Sequence, residues 1–232
     1  MTPVVFIPGL LCDARLWRDQ VDGLGDLATS TIADVGLDDS VGAMAARLLD
    51  AAPPRFTLVG LSMGGYVAFE VMRRAPQRVA ALALLSTSAA PDTPARRTER
   101  EAGLKAVATG RFLGVSRRLL PRLVEARHLD GPVGHEIAEM ARRVGGEAFL
   151  RQQTAILNRP DSRPTLGEIA VPTLVAVGDS DVMTPPALSI EIFRGLQRPS
   201  FHLFHGCGHL PPMEQPQATT ALLRRWLIEE AR

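Results

Sequence analysis

Cysteine is scarce in this 232-residue chain, which carries two, Cys12 and Cys207. They lie far apart and lack metal-ligand spacing, which argues for a reducing compartment rather than a disulfide framework and against a zinc site. Lysine is rarer still, with Lys105 alone among many arginines, a usage that reads as composition rather than function. Formal net charge is +1, and no Lys/Arg run with interleaved aromatics stands out, so no nucleic-acid partner is expected. No stretch approaches the roughly 18 apolar residues of a membrane span, so no membrane partner is expected either. The chain runs from Met1 straight into Val4-Val5-Phe6-Ile7, with no basic residues before a signal-peptide core. These absences together predict a cytoplasmic protein that acts on a small molecule.

What is present is a regular alternation. With 46% hydrophobic residues, the chain suits one globular domain with room for a modest insertion. Short β-rich runs at 4–7, 29–33, 56–61, 79–85, 173–177 and 200–204 are bounded by Gly, Pro or small polar residues, and several are apolar throughout. Helical patterns lie between them, with Val41, Met44, Ala45, Leu48 and Leu49 at helical spacing, a segment after Ser62 that stops before Pro76, and a last one over 217–230. Such alternation predicts an α/β fold with a mostly parallel, doubly wound sheet of about six strands. The alternation breaks between the fourth and fifth strands. There a helical lid is expected over 91–164, read as three or four short helices broken by Gly103, Gly110, Pro121 and Gly131-Pro132. Residues 1–90 and 165–232 then form the core.

The densest chemical signal is Gly60-Leu61-Ser62-Met63-Gly64 between a strand and a helix. A sharp strand-to-helix turn strains the serine backbone, so the flanking positions must lack bulky side chains, and glycine meets that need. The bland reading is a glycine-rich turn. The strand before it and the helix after it favour a nucleophile elbow, with the Met63 amide pointing at a developing oxyanion.

A serine hydroxyl needs a base. Of five histidines, His128 and His135 fall in the lid and His202 in the last strand. His209, in the loop Gly206-Cys207-Gly208-His209, fits a base that reaches over the sheet edge, with His205 as its rival. An acid must then orient the imidazole. Asp179 and Asp181 both follow the strand that ends at Gly178, and the chain order Ser, Asp, His is that of α/β-hydrolases.

On Pro8-Gly9-Leu10-Leu11, on the elbow, and on Gly178-Asp179-Ser180-Asp181 with Gly206-Cys207-Gly208-His209, the sequence resembles the α/β-hydrolase superfamily, in its lidded esterase and lactonase branch, over nearly its whole length. The resemblance implies the α/β-hydrolase fold and no cofactor or metal. It implies Asp181 as the acid, three residues after the turn glycine, and leaves Asp179 as a turn former. It implies that the Leu10 amide pairs with that of Met63 in an oxyanion hole, although the His-Gly usual there is Pro8-Gly9 in this chain. Aspartate-nucleophile dehalogenases and epoxide hydrolases are disfavoured by Ser62, and perhydrolases weakly so by Leu10 in place of an aromatic residue. Ester, lactone, thioester and carbon–carbon hydrolysis stay open, as do a lyase on the same triad and, less favoured, a receptor-like binding role.

Substrate choice is expected to lie with the lid, which carries fourteen Arg/Lys against nine Asp/Glu over 91–164. A lid arginine such as Arg151 or Arg159 could select an acid-bearing or carrier-linked substrate; a solvated helical surface is the plainer reading. Leu11, Trp17, Arg151, Arg159 and Leu210 are the substrate-binding candidates.

Overall fold

The computed structural model describes residues 1–231. Six parallel strands, β1 (Thr2–Ile7), β2 (Ala28–Ile32), β3 (Phe56–Leu61), β4 (Val79–Leu85), β5 (Thr173–Gly178) and β6 (Pro199–Phe204), form one sheet in the order 2-1-3-4-5-6. The helices are α1 (Arg18–Gly23), α2 (Val41–Ala51), α3 (Met63–Arg74), α4 (Pro94–Ala108), α5 (Pro132–Leu157), α6 (Arg163–Leu166), α7 (Pro186–Gly195), α8 (Pro211–Glu214) and α9 (Pro216–Glu229).

Burial explains the sequence texture of the strands. Every residue of β3 and β5 is buried, as befits strands covered on both faces, whereas edge strand β2 alternates between covered and exposed positions. One apolar core packs Val5, Ile7 and Leu58 against Met44 and Leu48 of α2 and Val67 and Val71 of α3. The other packs Val4, Phe6 and Val59 against Trp17, Leu223 and Trp226. Ser40 caps α2 by accepting the Ala43 N–H at 3.2 Å, which fixes where that helix begins.

The strand order reverses at β1, since β2 lies on one side of it and all later strands on the other. Crossovers leave the sheet in opposite directions there, which opens a crevice at the carboxyl ends of β1 and β3, the general location of ligand sites in such sheets.

Residues 86–172 join β4 to β5 and contain α4, two helical halves of α5 on either side of Gly145, single 3₁₀ turns at Leu120–Arg122 and Ala126–His128, and the short α6. Helix α4 runs through Gly103, where a Cβ would have Phe149 Cζ no closer than 3.7 Å; a lone glycine costs an exposed helix only about 1 kcal/mol. Gly110, at φ +80°, does terminate α4, as a left-handed residue after a helix end should. Pro132 opens α5, where its missing N–H is no loss. The break within α5 falls at Gly145, at φ 81° and ψ 172°. The two ends of the insertion meet, with the Ser162 N–H donating to Ala89 O at 2.8 Å.

Candidate active site

Four loops at the carboxyl edge of the sheet converge on one point. After β3, Ser62 adopts φ 55° and ψ −114°, a region that a residue with a side chain occupies only under local constraint. The constraint is steric: a Cβ on Gly60 would lie 2.6 Å from Gly64 O, and one on Gly64 would lie 2.3 Å from Ile7 O. Three hydrogen bonds hold the backbone of the strained residue, Ser62 N–H to Leu85 O at 3.0 Å, Gly65 N–H to Ser62 O at 2.9 Å and Thr87 Oγ1–H to Ser62 O at 2.7 Å.

After β6, His209 is 5% exposed, and its Nε2 lies 3.0 Å from Ser62 Oγ. After β5, Asp181 is 2% exposed, and its Oδ2 lies 2.8 Å from His209 Nδ1. Asp181 also accepts the Met183 and Thr184 N–H groups at 2.8 and 2.9 Å and the Thr184 hydroxyl at 2.7 Å. Burial alone would push this carboxyl up, but the facing imidazole and these hydrogen bonds outweigh it and hold Asp181 below the usual carboxylate range. The β5 and β6 loops come this close because Gly178 has no side chain: a Cβ there would sit 2.2 Å from the carbonyl oxygens of Cys207 and Gly208.

The rival pair resolves separately. Asp179 accepts the Gly206 N–H at 3.0 Å and lies 3.3 Å from His205 Nδ1 on the exposed side of the same loops. It ties the β5 and β6 turns to each other.

After β1, the loop 8–13 passes against the elbow. A Cβ on Gly9 would be 3.5 Å from Ser62 Cβ. The Leu10 and Met63 N–H groups have no hydrogen-bond partner among the described residues. The Leu11 N–H is taken, donating to Gln152 Oε1 at 3.0 Å, while Gln152 Nε2 donates to Val35 O at 3.3 Å. This side chain from α5, 1% exposed, braces the loop where the expected histidine is absent.

A second brace escaped sequence reasoning. The buried Glu214 carboxylate accepts the N–H groups of Gly208 at 3.1 Å, Leu210 at 3.1 Å and Glu125 at 2.9 Å. The His209 N–H itself donates to Leu123 O at 2.8 Å. The histidine loop is thereby fixed to the insertion.

A narrow apolar cavity opens on Ser62 and His209, walled by Leu11 and Leu210 and also by Leu119, Ile137, Met140 and Met183. Three of the substrate-binding candidates lie elsewhere. Trp17 is fully buried in the core, its ring centroid 5.0 Å from that of Phe6. Arg151 donates to Gly36 O at 2.8 Å and borders a separate recess beside Asp34 and Gly36. The Arg159 side chain is 6% exposed, with its guanidinium 4.2 Å above the Tyr66 ring and 2.9 Å from Asp92 Oδ1. In their place the cavity wall holds Arg100 and Tyr66. Their outward sequence signal was none, because a wall position depends on how α4 and α3 are set over the sheet.

Both thiols are free and buried. Burial pushes Cys12 up to about 12 and, with Glu214 beside it, Cys207 higher still, so neither is a nucleophile at neutral pH. Among the described residues, no helix is long and apolar enough to cross a membrane.

Fold and site define a hydrolase of the doubly wound α/β type. Residues 4–222 match the model of the Alpha/beta hydrolase family, and the chain belongs to that family. A pimeloyl-acyl-carrier-protein methyl ester esterase of Neisseria meningitidis is 29% identical over 180 residues, covering 72% of this chain and 67% of that protein. A putative non-heme bromoperoxidase of Mycobacterium tuberculosis is 30% identical over 245 residues, covering 96% and 92%. A thermophilic esterase from Thermogutta terrifontis, solved with malate bound, superposes with TM-score 0.89 at 29% identity, covering 99% of this chain and 90% of that one.

Proposed function

We propose that the protein is a serine esterase that cleaves a small carboxylic ester through an acyl-enzyme, with Ser62 as nucleophile, His209 as general base and Asp181 as the orienting acid. The observation that carries this reading is the unbroken chain from Ser62 Oγ through His209 to Asp181, at 3.0 and 2.8 Å, on the floor of an apolar cavity. As Ser62 attacks the ester carbonyl, its proton passes to His209 Nε2, and Asp181 stabilises the imidazolium through Nδ1–H. The Leu10 and Met63 amides receive the oxyanion. The carbonyl–oxygen bond then breaks, and His209 returns the proton to the departing alcohol. Water attacks the acyl-enzyme with His209 again as base, releasing the acid and restoring Ser62. No cofactor enters these steps. In the same reading 91–164 acts as the lid, and the two reduced thiols favour the cytoplasm.

A carrier-linked ester is a second reading. It draws on the printed substrate of the Neisseria relative and on the basic balance of the insertion. Lactones and thioesters would run through the same acyl-enzyme.

The test is hydrolysis of p-nitrophenyl acetate, butyrate and octanoate by the purified protein beside Ser62→Ala, His209→Ala, Asp181→Asn and Asp179→Asn. The first three variants should lose about 10⁴-fold or more in kcat, and Asp179→Asn should keep turnover. Unchanged activity in Ser62→Ala overturns the reading.

A further inference from the structure

The cavity that opens on Ser62 is apolar except at one place. Apart from His209, the only charged side chain in its wall is Arg100 of α4. Its side chain is 13% exposed, its Nε donates to Asp92 Oδ2 at 2.6 Å, and its Nη1 donates to Gln153 Oε1 at 2.8 Å. Asp92 is shared: Arg159 Nη2 donates to its other oxygen at 2.9 Å, and the side chains of Asp92 and Arg159 are both 6% exposed. Two guanidinium groups thus face one carboxylate, and Gln153 adds no charge. Within the cluster the cations outnumber the carboxylate by one, offset only by the neighbouring Glu99, which acts on Arg100 as well as on Arg122, and by the Ile156 and Ala90 carbonyl oxygens that accept from Arg159, so an added anion is favoured there.

One terminal nitrogen of Arg100 is left for that anion. Its Nη2 makes no hydrogen bond to any described residue and is not among the side-chain atoms sealed from solvent. The guanidinium also stands where the Ser62 cavity adjoins an outer recess. That recess shares Leu10, Leu11, Leu119 and Met183 with the cavity and adds Arg96 and Arg122 against a single acid, Glu99. Glu99 is spoken for by Arg122 at 2.6 Å, and Arg96 donates to Met183 O. No acidic side chain faces Arg100 from the cavity side.

We propose that Arg100 is a specificity-determining residue that binds a free carboxylate on the substrate, so that the preferred substrates are half-esters of dicarboxylic acids. The apolar walls take the methylene body, the ester carbonyl lies at Ser62, and the far carboxylate completes the Asp92–Arg100–Arg159 cluster. A carboxylate oxygen can accept from Nη2, while Asp92 at Nε and Gln153 at Nη1 hold the plane of the guanidinium. Arg159 and Asp92 hold that guanidinium in place and do not touch the substrate. This inference rests on the esterase reading for the bond cleaved, but not for the anion bound.

The experiment has two arms. In the first, kcat/KM is measured for p-nitrophenyl half-esters of succinate, adipate and suberate and for the monoacid esters of equal chain length. The acid-to-neutral ratio in wild type should exceed that in Arg100→Gln by about 10- to 100-fold at the best chain length, mostly through KM, with partial return in Arg100→Lys. In the second, binding of the free dicarboxylates and of inorganic phosphate is titrated calorimetrically into Ser62→Ala and into Ser62→Ala/Arg100→Gln. Arg100→Gln leaves Asp92 paired with Arg159, and thermal melting checks that it folds. Arginine-dependent dicarboxylate binding without hydrolysis by wild type would sustain this inference while sinking the esterase reading. An acid-to-neutral ratio unchanged by Arg100→Gln, dicarboxylate binding indifferent to it, or tighter binding of phosphate than of any dicarboxylate would overturn the inference.

Discussion

Ser62 and His209 are 147 residues apart yet lie 3.0 Å from each other, and each carries its own local signature in the sequence. The elbow glycines are dictated by atoms within a few residues or on the adjoining strand, and a histidine between glycines after the last strand has a single edge to reach over. The choice of Asp181 over Asp179 is different in kind, since both follow the same strand and only family spacing separated them. In the structure Asp181 is turned inward, where Thr184 and His209 satisfy it, while Asp179 faces the exposed turn and its amides. Gln152 had no such signature. Its side chain meets Leu11 from 141 residues away, and a glutamine in a helix says nothing by itself. Replacing Gln152 by Leu leaves a buried N–H and a buried carbonyl without partners, which should cost roughly 2 kcal/mol of stability. Because the Leu10 amide is carried by the same loop, kcat should fall while KM changes little, as steady-state kinetics and urea denaturation would show. Unaltered kcat with reduced stability would confine Gln152 to a packing role.

At the level of elements, periodicity located the strands and helices α2, α3 and α9 to within a residue or two, because both faces of β3 and β5 are covered and their apolar runs have no competing reading, whereas α1 and α7 were not picked out. The insertion was read less well. Gly103 and Gly145 both lie within helical runs, but only Gly145, the first of a Gly-Gly pair, leaves the helical region. The same insertion is attached to the histidine loop through Glu214, which serves two elements at once. In Glu214→Ala the amides of Gly208, Leu210 and Glu125 lose their common acceptor. Stability should drop by roughly 3 to 5 kcal/mol, and the kcat loss should exceed that of an equally destabilised core variant. Urea midpoints beside kcat would separate the two effects; proportional losses in both variants would leave Glu214 a structural residue only.

Across the whole molecule, buried carboxylates link the insertion and the site to pH. Burial pushes Asp92 up, but hydrogen bonds and charge from Arg159 and Arg100 pull it below its ordinary value. A carboxylate depressed on folding contributes stability that is complete above its unfolded value, about 3.9, and is lost as pH falls through the folded one. Thermal melting followed downward from pH 5 should therefore show a steeper acid limb in wild type than in Asp92→Asn, which cannot lose that contribution. Parallel limbs would mean that the cluster adds no pH-dependent stability.

The sequence by itself determined the alternation of strands and helices, the elbow and the histidine that follows the last strand. These signals arise from backbone sterics and burial periodicity within a few residues of where they are read. Tertiary structure alone decided that Trp17 fills the core, that Arg159 stacks on Tyr66 while Arg100 reaches the cavity wall, and that Gln152 and Glu214 hold the loops around Ser62 and His209. For Arg100, Arg159 and Gln152 the outcome depends on where α4 and α5 come to rest over the carboxyl edge of the sheet. That placement is fixed by contacts between residues far apart in the chain, for which local pattern carries no record.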